Sequence, residues 1–452
     1  MQQRGRFVEG SVLRHIIIMT MTSALGLTFT FFIDFLSLFW LSKLDNSAIT
    51  ASVAIAGAIM FLTISISIAF MIPAVALVSR AVGRGDTQTA RQHATASLLL
   101  SAIALIIIST LALIFLNPLL NFVGAGESAE VLDFSRRFLR LVLPSIPLFA
   151  VAMGSSAILR ALGDGMRSMY VTLFGGFIAM ILDPLFIIYM DWSVEGAGAV
   201  VILARLAMTV LGLYYLIRVH NALAPIREVK LDGFTAPFFA IAIPAMLTQV
   251  SSPVGNIILT REIAKFGEEA LAGFAVNFRL MLLAFGGVFA LSGAIGGIIG
   301  QNYGAGQLDR VRETYLKAIG FGAIYSIATW LLLMILRPFV ADIFSLTEQS
   351  AHIPDAFVFT AWHFIFVTAI FVSNAAFNTL GRPIYSTGIN WFRDVLLTYP
   401  VVLFMAGTFG DVGVVYAQVV VGILTGILAA YIGWVYIGKV ARGEVTVERK
   451  RS

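Results

Sequence analysis

The chain has 452 residues, 59% of them from the set AVILMFWYC and only 12% charged. Soluble domains carry about 25% charge, and a fold of this size has too little polar surface to cover so much apolar side chain. A cytoplasmic enzyme, a disordered chain and a nucleic-acid binder are thereby excluded. The formal charge of +5 points to an anionic surface, which the composition makes a bilayer. With no cysteine there is no disulfide framework, thiol chemistry or Cys-held metal.

A spanning helix needs about 20 predominantly apolar residues. Runs of that kind lie at 13–42, 48–78, 93–116, 137–159, 169–190 and 196–217. A second set follows at 237–263, 270–299, 314–336, 353–380, 386–408 and 413–437. The longest connections, 79–92, 117–136, 218–236 and 300–313, are too short for an independent core. The first run is too long for a secretory leader, and no small-residue cleavage site follows it. Prolines 73, 144, 147, 184, 244 and 253 fall inside runs and mark expected kinks.

Orientation follows from Lys and Arg. With the N-terminus inside, inner segments hold twenty of the thirty basic residues and outer segments seven. Both termini are therefore expected in the cytoplasm. The halves also align at a slowly drifting offset. Lys43–Ala48 pairs with Lys265–Ala270, Gly83-Arg-Gly85 with Gly304-Ala-Gly306, Leu162-Gly163 with Leu380-Gly381, and Gly196 with Gly413. Six spans per copy keep both copies in one orientation, as in transporters with parallel repeats. The expected fold is an all-α polytopic membrane protein: twelve transmembrane helices in two six-helix lobes around a central cleft. The first lobe covers 1–220 and a linker 221–236. The second lobe covers 237–440, followed by a basic tail, 441–452.

Charges at membrane depth are costly and functional by default. Asp34 lies nine residues before Lys43, Asp183 eight before Asp191, and Arg205 nine after Gly196. At 1.5 Å per residue, all three sit about 12–14 Å below the outer surface. Arg205 is the candidate charge partner, either as static glue or beside a proton site in which two acids share one base. The second copy has no such cluster, since Asp34 pairs with Asn256 and Asp183 with Val401. Ion coupling is therefore assigned to the first half. Arg279 has no carboxylate near it in sequence, and Arg393-Asp394 reads as a local ion pair. His363 near the middle of the tenth run titrates in a useful range. Gln249, Asn256 and Asn378 are polar groups suited to line a cleft or bridge helices. Abundant Phe and Met suit adaptable binding of flat apolar cations.

The segment Gly300-Gln-Asn-Tyr-Gly-Ala-Gly306-Gln-Leu-Asp-Arg310 resembles the most recognisable loop of the multidrug and toxic compound extrusion (MATE) family. Gly83-Arg-Gly-Asp86, Leu159–Gly165, Leu182-Asp-Pro-Leu-Phe186 and Phe266-Gly-Glu-Glu-Ala270 are similar to other segments of that family. The resemblance covers essentially the whole chain. It implies two six-helix lobes that export amphiphilic, mostly cationic compounds by an ion-driven rocking motion. Asp34 and Asp183 match the first-lobe aspartates of the DinF-like, proton-coupled branch. The acidic residue of the sodium-coupled NorM-like branch is missing from Thr248-Gln-Val-Ser-Ser-Pro253. Arg205 is no part of the family pattern.

The expectation is a proton-coupled multidrug antiporter of the cytoplasmic (inner) membrane, working as a monomer. Protonation falls at Asp34 with Asp183. Its partners are small amphiphilic cations and the bilayer, with no nucleic acid. No cofactor or metal is called for; the proton gradient supplies energy. Sodium coupling and a lipid-linked precursor flippase remain the alternatives. Enzyme signatures such as HExxH, a nucleophile elbow or a P-loop do not occur.

Overall fold

A computed structural model describes residues 5–41, 43–44, 47–123, 128–229, 231–344 and 346–445, without the side chains of 34, 35, 38, 47, 50, 54, 348 and 349. Among these residues the structure is helical, with no strand. The first six spans are α1 (Val12–Leu41), α2 (Ser47–Gly83), α3 (Thr87–Ile114), α4 (Ala129–Ala161), α5 (Gly165–Tyr189) and α6 (Ser193–Val219). The last six are α7 (Thr235–Ala264), the broken pair Glu268–Ala284 and Gly286–Gly304 that forms α8, α9 (Leu308–Ile343), α10 (Ser350–Thr379), α11 (Pro383–Phe409) and α12 (Val412–Ala441).

The departures from the expected runs have local causes. The stretch 117–136, expected as a connection, holds a short helix, Leu116–Phe122, and the start of α4. That start is amphipathic, with Arg136, Arg137 and Arg140 interrupting the apolar residues, so a search for apolar runs passes over it. Ser128 caps it by accepting from Val131 N at 3.4 Å. Pro144 then sets a 3₁₀ turn, Leu143–Ser145, before the helix resumes. The bend in α8 is 44° and falls at Phe285 with no proline, where Gly286 and Gly287 follow. Tyr325 of α9 fills the space a side chain at Gly287 would need.

Helices α1 and α2 of the first lobe pack on α8, and α2 also packs on α7. The seam is closest on the face that carries both termini. There Gly83 of α2 lies against the backbone of Gln301, and Gly304 of α8 against the carbonyl of Arg80. Gly83 and Gly304 are the repeat-related pair read from the sequence, so each copy contributes the same notch to the other. A β-carbon at either glycine would overlap backbone rather than a side chain that could swing away.

The segment before α1 straps this face. Gln301, fully buried, donates from Nε2 to Ala161 O at 2.7 Å and accepts from Phe7 N at 2.9 Å. Arg310 donates to the carbonyls of Phe7 (2.9 Å) and Gly10 (3.1 Å) and to Asn302 Oδ1 (2.9 Å). Arg6 donates to Gly163 O at 3.1 Å, so residues 6–10 bond to both lobes. The Gly300–Arg310 motif is therefore the lock of this seam. Gly83→Val is expected to destabilise the protein by about 1–3 kcal/mol through overpacking, read as a lowered unfolding temperature of the detergent-solubilised chain. An unchanged temperature would show that the seam yields freely.

Candidate functional site

Asp183 is the last α-helical residue of α5 before a π-helical stretch, Pro184–Tyr189. Proline supplies no N–H to the helix ladder, which frees a carbonyl one turn back and lets the coil widen there. The carboxyl is 1% exposed. It accepts a hydrogen bond from the hydroxyl of Ser37 on α1. One turn before it, Ala179 joins Ile33 of α1 and Val200 of α6 in an apolar cluster. The three helices approach closely because α5 has two adjacent glycines. A β-carbon at Gly176 would meet Phe29 of α1 at 2.7 Å, and one at Gly175 would overlap Met208 of α6.

Arg205 is also buried, 5% exposed, but its described contacts lead elsewhere. Its Nη1 donates to Val142 O at 3.1 Å and to Ser145 Oγ at 2.7 Å, both at the 3₁₀ turn of α4. Its guanidinium lies over the Phe149 ring, 5.3 Å from the centroid. Thr209 adds a bond to Leu148 O at 2.8 Å, so α6 is stitched to α4 along one face. Equal depth predicted Arg205 as the partner of the aspartates. Among the described residues no ion pair joins it to Asp183, because depth along a helix does not fix the direction a side chain takes around it. Asp34 lies in α1, and its side chain falls outside the described residues.

The second-lobe candidates do not converge with Asp183. Gln249 and Asn256 lie half-buried in α7, seven residues apart. His363 sits in a 3₁₀ break of α10, 4% exposed, with Nδ1 2.9 Å from Thr360 O and Gly422 of α12 against its ring. Asn378 is buried near the other end of α10 with Oδ1 unpartnered. The Arg393–Asp394 pair is local, as expected, at 2.6 Å. Asp394 also accepts from Ser251 at 2.7 Å and Ser252 at 3.3 Å on α7. It occupies a π-helical stretch, Phe392–Leu397. Each lobe thus carries a carboxylate in a widened helix, tied to a serine on the neighbouring span. Only the first-lobe one lacks a cation within ion-pair distance among the described residues. Sequence reading missed Ser37, although its spacing of three from Asp34 is the signal that puts both on one helix face. No group of three or more His, Cys, Asp or Glu suited to a metal occurs among the described residues.

Outside the spans, Asp164 caps α5 through Arg167 N at 3.0 Å. It also pairs with the Arg167 guanidinium at 2.5 Å and accepts from His220 Nε2 at 2.9 Å. Burial works to raise its pKa, but these hydrogen bonds and the Arg167 charge outweigh it and hold the carboxyl well below its usual range.

Two six-helix lobes meeting along glycine notches, with an acid buried in one of them, are the architecture of a membrane transporter. A family model for MatE matches residues 22–185 and again 244–404, one stretch in each half. The chain belongs to the MATE family of multidrug efflux transporters. It is 25% identical over 441 residues, 96% of both chains, to an FAD transporter of Shewanella oneidensis. A probable multidrug resistance protein of Bacillus subtilis, YpnP, is 21% identical over 90% of this chain and 92% of its own. Among solved structures, an outward-facing MATE transporter superposes with a TM-score of 0.90 at 20% identity, covering 97% of this chain and 98% of that one. A transporter from Pyrococcus furiosus, described as having a binding pocket of reverse polarity that suggests a different function, superposes with a TM-score of 0.89 at 19% identity over 96% and 98%.

The Asp164 cluster gives a pH prediction. A carboxyl held below its unfolded value contributes stability that is present above that value, near 3.8, and lost as pH falls through and below it. Asp164→Asn should lower the unfolding temperature at pH 7 and narrow the difference between pH 7 and pH 3.5. A variant that loses as much stability on acidification as the native chain would contradict this.

Proposed function

We propose that the chain is a proton-coupled antiporter that exports amphiphilic, mostly cationic compounds from the cytoplasm. The face carrying the termini is the cytoplasmic one, in keeping with the excess of Lys and Arg there. The observation that carries the reading is Asp183. It is buried among apolar residues of α1, α5 and α6, bonded to Ser37 and without a cation at ion-pair distance among the described residues. Such an acid is held neutral in a closed lobe and gives up its proton when water and a cation reach it. Asp34 stands three residues before Ser37 in the sequence and is proposed as the companion of Asp183 in protonation.

Protonation changes the bond between α1 and α5, which alters the fit of the first lobe and expels the bound compound to the far side. Deprotonation restores the fit for a new cation from within. The exchange runs only because proton and substrate prefer different states of the same lobe. Arg205 has a positioning role in this scheme, holding α6 to α4 beside the site. Gln249 and Asn256 on α7 are proposed to face the cleft, His363 and Asn378 to contribute from α10. The transporter is proposed to act as a monomer in the inner membrane, without a cofactor.

A second reading of the cargo has its own support. The Shewanella relative that spans 96% of this chain is described as an FAD transporter, so a flavin nucleotide is a cargo to test beside drugs.

The reading is tested by ethidium efflux from proteoliposomes under a proton gradient and, separately, a sodium gradient. The wild type should respond to the proton gradient alone. Asp183→Asn should slow proton-driven efflux at least about tenfold, equivalent to 1.4 kcal/mol. Retained coupling in that variant, or efflux driven by sodium alone, would overturn the proposal.

A further inference from the structure

Arg160, the penultimate residue of α4, is 9% exposed. Among the described residues no carboxylate lies within ion-pair distance of it; Asp164, four residues on, is engaged by Arg167 and His220. Its Nη1 donates to Ser168 Oγ at 2.9 Å and Ser156 Oγ at 3.2 Å, and its Nη2 lies 3.7 Å from Met71 Sδ on α2. Its Nε is buried without any partner. Hydroxyls and a thioether are weak compensation for a guanidinium removed from water, since a buried charge normally demands a counter-charge.

The direction of the side chain shows where that counter-charge comes from. Nε lies at the seam, 3.8 Å from where a β-carbon on Gly293 of α8 would stand. The Arg160 carbonyl and Ala161 face Gly297 of the same helix. The backbone of α8, a helix of the opposite lobe, thus adjoins the free Nε with no side chain at Gly293. When α8 withdraws and the terminal face opens, Nε and the guanidinium edge are uncovered into that opening. The repeat-related position in the second lobe is Asn378, also buried with an unpartnered Oδ1, but it carries no charge. The asymmetry leaves the cation of this repeat-related pair on the first lobe.

We infer that Arg160 is an oxyanion-binding residue of the cytoplasm-open state, engaging a phosphate or carboxylate group of the exported compound as it enters. The guanidinium edge suits such a group, offering two parallel donors in a planar fork. The inference rests on the export reading and adds to its substrates amphiphiles that carry an oxyanion, whether or not they also carry a cation.

The test uses riboflavin and flavin mononucleotide, a matched pair differing by one phosphate, titrated by fluorescence anisotropy against the purified full chain in lipid-free detergent. The wild type should bind the phosphorylated probe at least about tenfold more tightly, as a charge-assisted hydrogen bond provides. In Arg160→Gln that preference should fall to about unity, with riboflavin affinity within about twofold of wild type. Gly293→Asp, which sets a carboxylate beside the guanidinium, should abolish the preference in the same way and serves if Arg160→Gln does not fold. No phosphate preference in the wild type, or a preference that survives these changes, would overturn the inference. So would its abolition by added phosphatidylglycerol, which would assign the site to a lipid headgroup. The titration needs no ion gradient, so a failure of proton coupling and a failure of this site are read separately.

Discussion

The hydrogen bond from Ser37 to Asp183 is the interaction around which the first lobe is arranged. An ionisable group inside a spanning helix has to be neutral, paired or functional. Here its described partner is a neutral hydroxyl from the neighbouring helix. The local backbone supports this arrangement. Pro184 opens a π-helical stretch directly after Asp183, and the glycine pair 175–176 lets α1 and α6 close in on the same helix from two sides. In the proposed cycle, a change in the protonation of this carboxyl acts directly on its bond to α1.

The second constraint is the seam. Packing of backbone on backbone at Gly83 and Gly304 has no side-chain slack, so this contact is either made or broken. The strap formed by Arg6, Phe7 and Gly10, with Gln301 and Arg310, adds polar bonds that must part together. Such an interface suits rocking of rigid lobes better than gradual deformation, because packed contacts of this kind are bistable. The buried Nε of Arg160 lies at the same seam, beside Gly293 of α8.

Much of the fold was legible in the sequence because membrane solvent imposes a single demand, unbroken apolar helices of sufficient length. The spans and the repeat follow from runs and spacings, and the MATE membership from segments such as Gly300–Arg310 that resemble that family. What escaped was shorter in range. The amphipathic beginning of α4 carries three arginines and does not look like a span. The bend in α8 comes from glycines rather than from one of the prolines. Arg205 shares a depth with Asp183 but turns toward Val142 and Ser145, since rotation about a helix is set by packing and not by residue count. Arg160 counted in the sequence as an inner-face cation and as part of the Leu159–Gly165 segment; that no carboxylate among the described residues pairs with it is a property of the folded surroundings.

The central claim is that the same lobe exchanges a proton for a bound cation. Linkage makes this directly measurable, because a substrate that competes with a proton must release it on binding. The decisive experiment is to add ethidium to the purified protein in weakly buffered detergent and follow the pH of the medium. Acidification that rises with occupancy and saturates with it is the predicted result. Saturable ethidium binding with no proton released would contradict the account.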